Sequence, residues 1–368
     1  MRPAGTGGGG AYALAVARSA GPAESRSAVL RICRSGGDSR TLRAHLVEEL
    51  DRLIGFDVYA FLLTDPDTSV GASPLANVPF PAELPALIRL KYLTPVNRWT
   101  TLGDPAVDSL WRATGGQPER SPLWRELLSR HGVGDVASMV FQDRYGCWGF
   151  LDLWRSTGAS AFDERELTLL SALVEPVTAA LRRSQAETFV VRPPARAHPG
   201  PVVLLLSADL EVRGQTPDTH EYLRVLIPPP GPAAPIPASA YNVAAQLLAT
   251  EAGVDTNPPE ARVHLSDGAW LTLRAARMGA AADGDRRDIA VTIEECAPAR
   301  RVDMFSRAFG LSVREGQLVG HLAGGADTRE VARLMYLSDH TVQDHLKSIF
   351  AKTGAHSRRE LLARALGG

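Results

Sequence analysis

Apolar positions recur at helical spacing near the end of the chain and at strand spacing through its middle. Val342, Leu346, Ile349 and Phe350 stand at i, i+4, i+7 and i+8. They predict one apolar stripe on a helix over 339–352. A second helix is predicted over 328–335, burying Val331, Leu334 and Met335. Only Tyr336, Leu337 and Ser338 separate the two. Ser312 and Glu315, Asp327 and Glu330, and Ser357 and Glu360 each have capping-box spacing. Ser338 opens the remaining helix, with Asp339 in its first turn, where the helix dipole favours an acid. Residues 310–368 therefore read as an all-α module of four short helices.

The front of the chain mixes periods. Leu42, Leu46 and Leu50 line one face of a helix over 41–53, and 56–63 is β-rich. Strands over 137–141 and 148–154 are joined by Asp143-Arg144-Tyr145-Gly146, a hairpin turn. A long helix follows over 164–183, with Pro176 inside it, where the missing N–H disturbs a helix. Residues 185–199 are polar, then rich in Pro and Arg, and read as a linker. Residues 200–297 read as a smaller α+β domain: strands over 202–206 and 211–213, a short helix over 217–226, a proline-rich loop over 227–237, a helix over 238–250. A hairpin about Asp267-Gly268 and a closing strand over 288–294 complete it. Residues 298–309 form a connector. The expected organisation is multidomain: a tail over 1–27, α+β over 28–184, α+β over 200–297, all-α over 310–368.

Composition adds a charge asymmetry. The 368 residues are 45% hydrophobic and 22% charged, with net charge −1, which suits an ordinary globular chain. From Met304 onward there are nine Lys/Arg against six Asp/Glu, and four of the nine histidines. A mildly basic end on a neutral chain suits a part that meets phosphate while the rest does something else. Cys33, Cys147 and Cys296 have no metal or redox spacing and read as reduced thiols in the cytoplasm. No apolar run reaches membrane-spanning length.

Two helices, a tight turn and an outward polar face make a helix-turn-helix, whose second helix enters the major groove. Thr341, Gln343, Asp344, Lys347 and Ser348 are left on the outward arc, with Gln343 and Lys347 pointing the same way. Gln343 suits adenine and Lys347 suits guanine. Asp344 suits either cytosine or an in-helix pairing with Lys347 or His340.

These residues also resemble a known family. Leu311-Ser312-Val313-Arg314-Glu315, Leu322-Ala323-Gly324-Gly325, Glu330-Val331-Ala332 and Leu337-Ser338-Asp339-His340-Thr341-Val342 resemble the LuxR-type DNA-binding domain. His345, Ile349, Lys352, Gly354 and Ser357-Arg358 extend the match. The resemblance implies a module that binds double-stranded DNA as a dimer and works with RNA polymerase. Gln343, Asp344 and Lys347 would face bases. Thr328, Ser338, Thr341, His345, Lys352 and Arg358 would hold the backbone. Leu361, Leu362 and Ala365 would form a dimer seam on the last helix. Gln343 stands where the family usually has a basic residue, and Gly316-Gln317 replaces a charged pair. Residues 28–184 resemble a GAF domain, through the element order and Asp143-Arg144-Tyr145-Gly146-Cys147-Trp148-Gly149. Residues 200–297 resemble a PAS-type fold by element order. A GAF-like front implies a small-molecule effector, with Trp99, Trp111, Trp124, Trp148 and Trp154 as pocket candidates for which the packing role outweighs the pocket role.

Enzyme signatures are missing. Gly5-Thr6-Gly7-Gly8-Gly9-Gly10 satisfies a dinucleotide fingerprint in letters, but no strand precedes it. There is no phosphate loop of the Gly-x-x-x-x-Gly-Lys kind, no nucleophile elbow and no His-Glu-x-x-His. His340 and His345 are five apart and diverge around their helix, and His220 beside Glu221 reads as a solvated helix residue. The expectation is a cytoplasmic DNA-binding regulator with neither catalytic nor metal residues. The rival readings are a regulator governed only by protein contacts and a small-molecule enzyme tethered to DNA.

Overall fold

The computed structural model describes residues 22–103, 106–190, 202–219, 238–264, 269–279 and 287–367. The glycine run at 5–10, His220, most of 217–226, the proline-rich loop and the Asp267-Gly268 turn lie outside them.

The first domain is a five-stranded antiparallel sheet with helices on both faces. It contains α1 (Pro22–Arg34), α2 (Ser39–Ile54), β1 (Val58–Thr64), β2 (Gly71–Ala76), α3 (Leu84–Leu93) and β3 (Val107–Ser109). Then come the short α4 (Leu110–Ala113) and α5 (Pro122–Glu126), β4 (Val133–Asp143), β5 (Gly146–Ser156) and α6 (Glu164–Glu187). The strand order is β2-β1-β5-β4-β3. Alternate residues serve opposite faces. Phe61, Met139, Phe141 and Leu151 pack with Leu46 and Val177 on the α1/α2/α6 side. Leu62, Val140 and Phe150 pack on the other. Both faces are covered, which is why these strands read as near-continuous apolar runs. At the β4–β5 turn Gly146 has φ +140°, and a Cβ there would lie 2.2 Å from Pro66 O, so only glycine fits.

The second domain holds β6 (Val202–Leu206), β7 (Val212–Gln215), α7 (Ala238–Glu251), β8 (Glu260–His264), β9 (Trp270–Arg277) and β10 (Ile289–Glu295). Its order is β7-β6-β10-β9-β8. Counted from each domain's own first strand, both sheets run second-first-fifth-fourth-third. α7 is buried on almost every side, pressed between its own sheet and the first domain. Alanines at 240, 244, 245 and 249 permit that close approach.

Two boundaries differ from the sequence reading. α1 begins inside the stretch expected to be tail, because Val29 and Cys33 bury against the α2/α6 face. The expected linker begins as structure: α6 runs to Glu187, and Phe189 is buried, stacked on Trp270 at 5.2 Å. Burial pushes the Cys33 and Cys147 thiols up to about 11, away from thiolate chemistry.

The connector is helix α8 (Pro298–Ala308), and charged groups fasten it to both domains. Arg262 on β8 is fully buried and donates to Asp65 at 2.6 and 2.7 Å and to Asp303 of α8 at 2.7 Å. Arg307 reaches Asp67 at 2.5 Å and Asp303 at 3.1 Å, and Arg300 pairs with Glu260. Phe305 and Phe309 pack beneath, against Phe189. Beyond α8 lie α9 (Val313–Ala323), α10 (Thr328–Met335), α11 (Asp339–Thr353) and α12 (Arg358–Leu366). One apolar cluster runs from Leu170 and Val177 of α6 through Phe305 to Val342 and Ile349 of α11. The C-terminal helices share their core with the front.

Candidate nucleic-acid interface

α10 and α11 form the expected pair. Asp327 Oδ1 accepts from Glu330 N at 2.8 Å and starts α10. Tyr336 then takes a left-handed conformation, φ 56° and ψ 45°, and Leu337 N–H closes on Ala332 O at 2.9 Å. That reversal lets Ser338 cap α11 at once, its Oγ accepting from Thr341 N at 3.1 Å. The reciprocal capping box forms at Ser312–Glu315. At Ser357 the acid turns elsewhere: Glu360 accepts from His356 N at 2.8 Å instead.

α11 divides as its pattern requires. Val342, Leu346, Ile349 and Thr353 are buried. His340, Gln343, Asp344 and Lys347 are exposed on the opposite arc. Asp344 sits between two basic side chains, with Lys347 Nζ at 3.1 Å and His340 Nδ1 at 3.7 Å. The Lys347 hydrogen bond, foremost, holds the Asp344 carboxyl below its ordinary value. Both in-helix pairings therefore form, Oδ1 towards Lys347 and Oδ2 towards His340.

Glu315 of α9 anchors the helix from behind. It is buried, and accepts from Ser348 Oγ, Lys352 Nζ and Ser312 N, each at 2.6 Å. Burial would raise its pKa, but Lys352, Ser348 and Ser312 overcome that and hold it down at about 2. The cap spacing announces Glu315 as a local residue. Its second role is signalled only by Ser348 and Lys352, four apart on one side of α11.

Several expected positions move. Leu334 is 41% exposed and Ala332 is buried in its place, since Val331, Ala332 and Met335 share the inward face of α10. Ser348 faces α9 and not the groove. Lys352 spends its ammonium on Glu315, and Arg358 donates to Ala326 O at 2.6 Å. Ser338 and Thr341 bond each other at 2.9 Å, and Thr328 and His345 are half-buried. The expected seam on the last helix needs correcting. Leu361 and Ala365, four apart, are fully buried within the chain's own core, and only Leu362 keeps partial exposure. Among the described residues no group of His, Cys, Asp or Glu could hold a metal, and no helix is long and apolar enough to cross a membrane.

Residues 310–365 match the family of bacterial regulatory proteins, luxR family. A probable HTH-type transcriptional regulator GfsR from Streptomyces halstedii is 39% identical over 62 residues, covering 17% of this chain and 26% of that protein. A monoamine regulon transcriptional regulator from Klebsiella aerogenes is 41% identical over 54 residues, covering 15% and 24%. The chain thus spans about a quarter of the length of these curated relatives. The crystal structure of Escherichia coli SdiA aligns over 94% of this chain and 97% of its own, at 15% identity and a TM-score of 0.36, too loose a likeness to bear on function. The C-terminal module is a LuxR-type helix-turn-helix domain.

Proposed function

We propose that this chain is a cytoplasmic, dimeric, sequence-specific transcription regulator that reads DNA through α11 and takes its signal in the two sheet domains. The observation that carries this is the exposed polar ridge of α11, held opposite a fully buried stripe by Ser338 at its start and Glu315 behind it. Gln343 and Lys347 meet base edges, each good contact discriminating by about 1–3 kcal/mol. Asp344 holds Lys347 in place through Oδ1 and offers Oδ2, beside His340, to a cytosine amine. Thr341 and His345, at the rim of the ridge, approach phosphates and set register. A single module makes few contacts, so two copies on two half-sites raise affinity enough for occupancy at physiological salt.

An operator selected from a random duplex pool by the full chain tests this. Gln343→Ala with Lys347→Ala should weaken binding to that operator by about 30-fold or more, from two lost contacts. Binding to unrelated duplex should change far less. Equal operator affinity in variant and wild type sinks the assignment of α11.

A further inference from the structure

A cavity of about 190 Å³ lies between the first sheet, α3 and α7. Leu62, Leu87, Ile88, Trp99, Leu128 and Trp154 make most of its wall apolar. The polar exceptions come from both domains. Lys91, Tyr92 and Asp152 belong to the first, the Tyr92 hydroxyl accepting from Gly71 N at 2.9 Å, and Asn242 on α7 to the second. Lys91 Nζ is 3.0 Å from Asp152 Oδ2, and Asp152 Oδ1 accepts from Ser138 Oγ at 2.6 Å and Trp99 Nε1 at 2.8 Å. The ion pair is thus neutral as a unit and largely spent on its own neighbours. Two donors of wall residues, Trp154 Nε1 and Asn242 Nδ2, have no hydrogen-bond partner among the described residues.

These facts restrict the occupant. A dry apolar cavity of about 150 Å³ is enough to hold benzene. A charged guest would lose its hydration and find no uncompensated counter-charge in the wall. Unpartnered buried donors, in contrast, gain from an acceptor oxygen. We infer that this cavity binds a compact uncharged molecule, an apolar body about the size of a substituted benzene ring bearing one carbonyl or hydroxyl oxygen, gripped jointly by α3 and α7. This rests on reading the front of the chain as its sensory part. It places the effector site on the α3 side of the first domain's sheet, where α7 of the second domain closes it. The occupant touches the second domain directly, through Ala238 and Asn242.

Calorimetric titration of the full chain with acetophenone and with benzoate tests the inference. Acetophenone should bind with one site per chain, and benzoate should not bind. Ile88→Trp fills the cavity and should cut acetophenone affinity by about tenfold or more, equivalent to about 1.4 kcal/mol. Leu128→Phe serves the same purpose should Ile88→Trp fail to fold, as judged by circular dichroism. Asn242→Leu should lower affinity from the other domain by about tenfold. Absence of acetophenone binding, equal binding of benzoate, or unchanged affinity in a folded filling variant overturns the site. Unchanged affinity in Asn242→Leu overturns the joint grip. Operator binding of the same preparation is measured in parallel. Its loss with acetophenone binding intact sinks the regulator reading alone.

Discussion

Replacing Glu315 by Gln removes the charge that holds α11 from behind while keeping the side chain's shape. The carboxyl sits at about 2 in the folded chain, against an ordinary 4.5. At about 1.4 kcal/mol per unit, that gap corresponds to about 3 kcal/mol of stability. Lys352 is 38% exposed, so solvent screens part of the pair, and about 2 kcal/mol is expected. The sign follows from the direction: a carboxylate lowered by folding stabilises fully above 4.5 and loses that contribution as the pH falls towards 2. Hydrogen exchange of the amides of 339–353, read by mass spectrometry, reports the local effect. At pH 7 Glu315→Gln should speed exchange about 30-fold, which is 2 kcal/mol converted. The gap should hold down to about pH 5 and narrow below 4.5, where the carboxyl of the opened segment begins to protonate while the folded one does not. Equal protection at pH 7, or a gap that widens on acidification, refutes the reasoning.

Arg262→Leu leaves Asp65 charged and buried without its partner, and should cost about 3–5 kcal/mol in thermal unfolding. Asp65→Leu combined with Arg262→Leu should recover most of that loss, and a double variant no better than the single one contradicts the pairing. Tyr336 is a non-glycine residue at φ 56° and 95% exposed; Tyr336→Gly should keep or raise the melting temperature, whereas Tyr336→Ile should lose about 1–2 kcal/mol. Operator affinity should fall linearly on a logarithmic salt scale, and an affinity indifferent to salt contradicts the phosphate contacts.

The last module was legible because its information is local. Caps, a 3.6-residue period and a three-residue turn all lie within a few positions of the residues they organise, so Ser338, Val342 and Ile349 could be placed without partners. The failures are long-range. Leu334 satisfies helical spacing as well as Ala332 does, and only the packing of α10 decides between them. Leu361 and Ala365 are apolar whether they face a second chain or their own core. In the front half, strands and hairpin were readable from short apolar runs and Gly146. α3 was not, because a lysine interrupts its apolar face. Lys91 looks like a solvated residue until Asp152, 61 positions away, comes within 3.0 Å. Of the five tryptophans considered for a pocket, Trp99 and Trp154 line the cavity. Trp148 is core, Trp124 bonds Val133 O, and Trp111 is 46% exposed.

Because α6, α8 and α11 share one apolar cluster, the C-terminal module is held to the front domains by packed side chains. A reader on a loose tether accepts half-sites at many separations. One welded to its frame acts as a ruler, and a few inserted base pairs put the second half-site on the wrong side of the duplex. For the proposed dimer, the tolerance of the operator to insertions measures how firmly the weld holds.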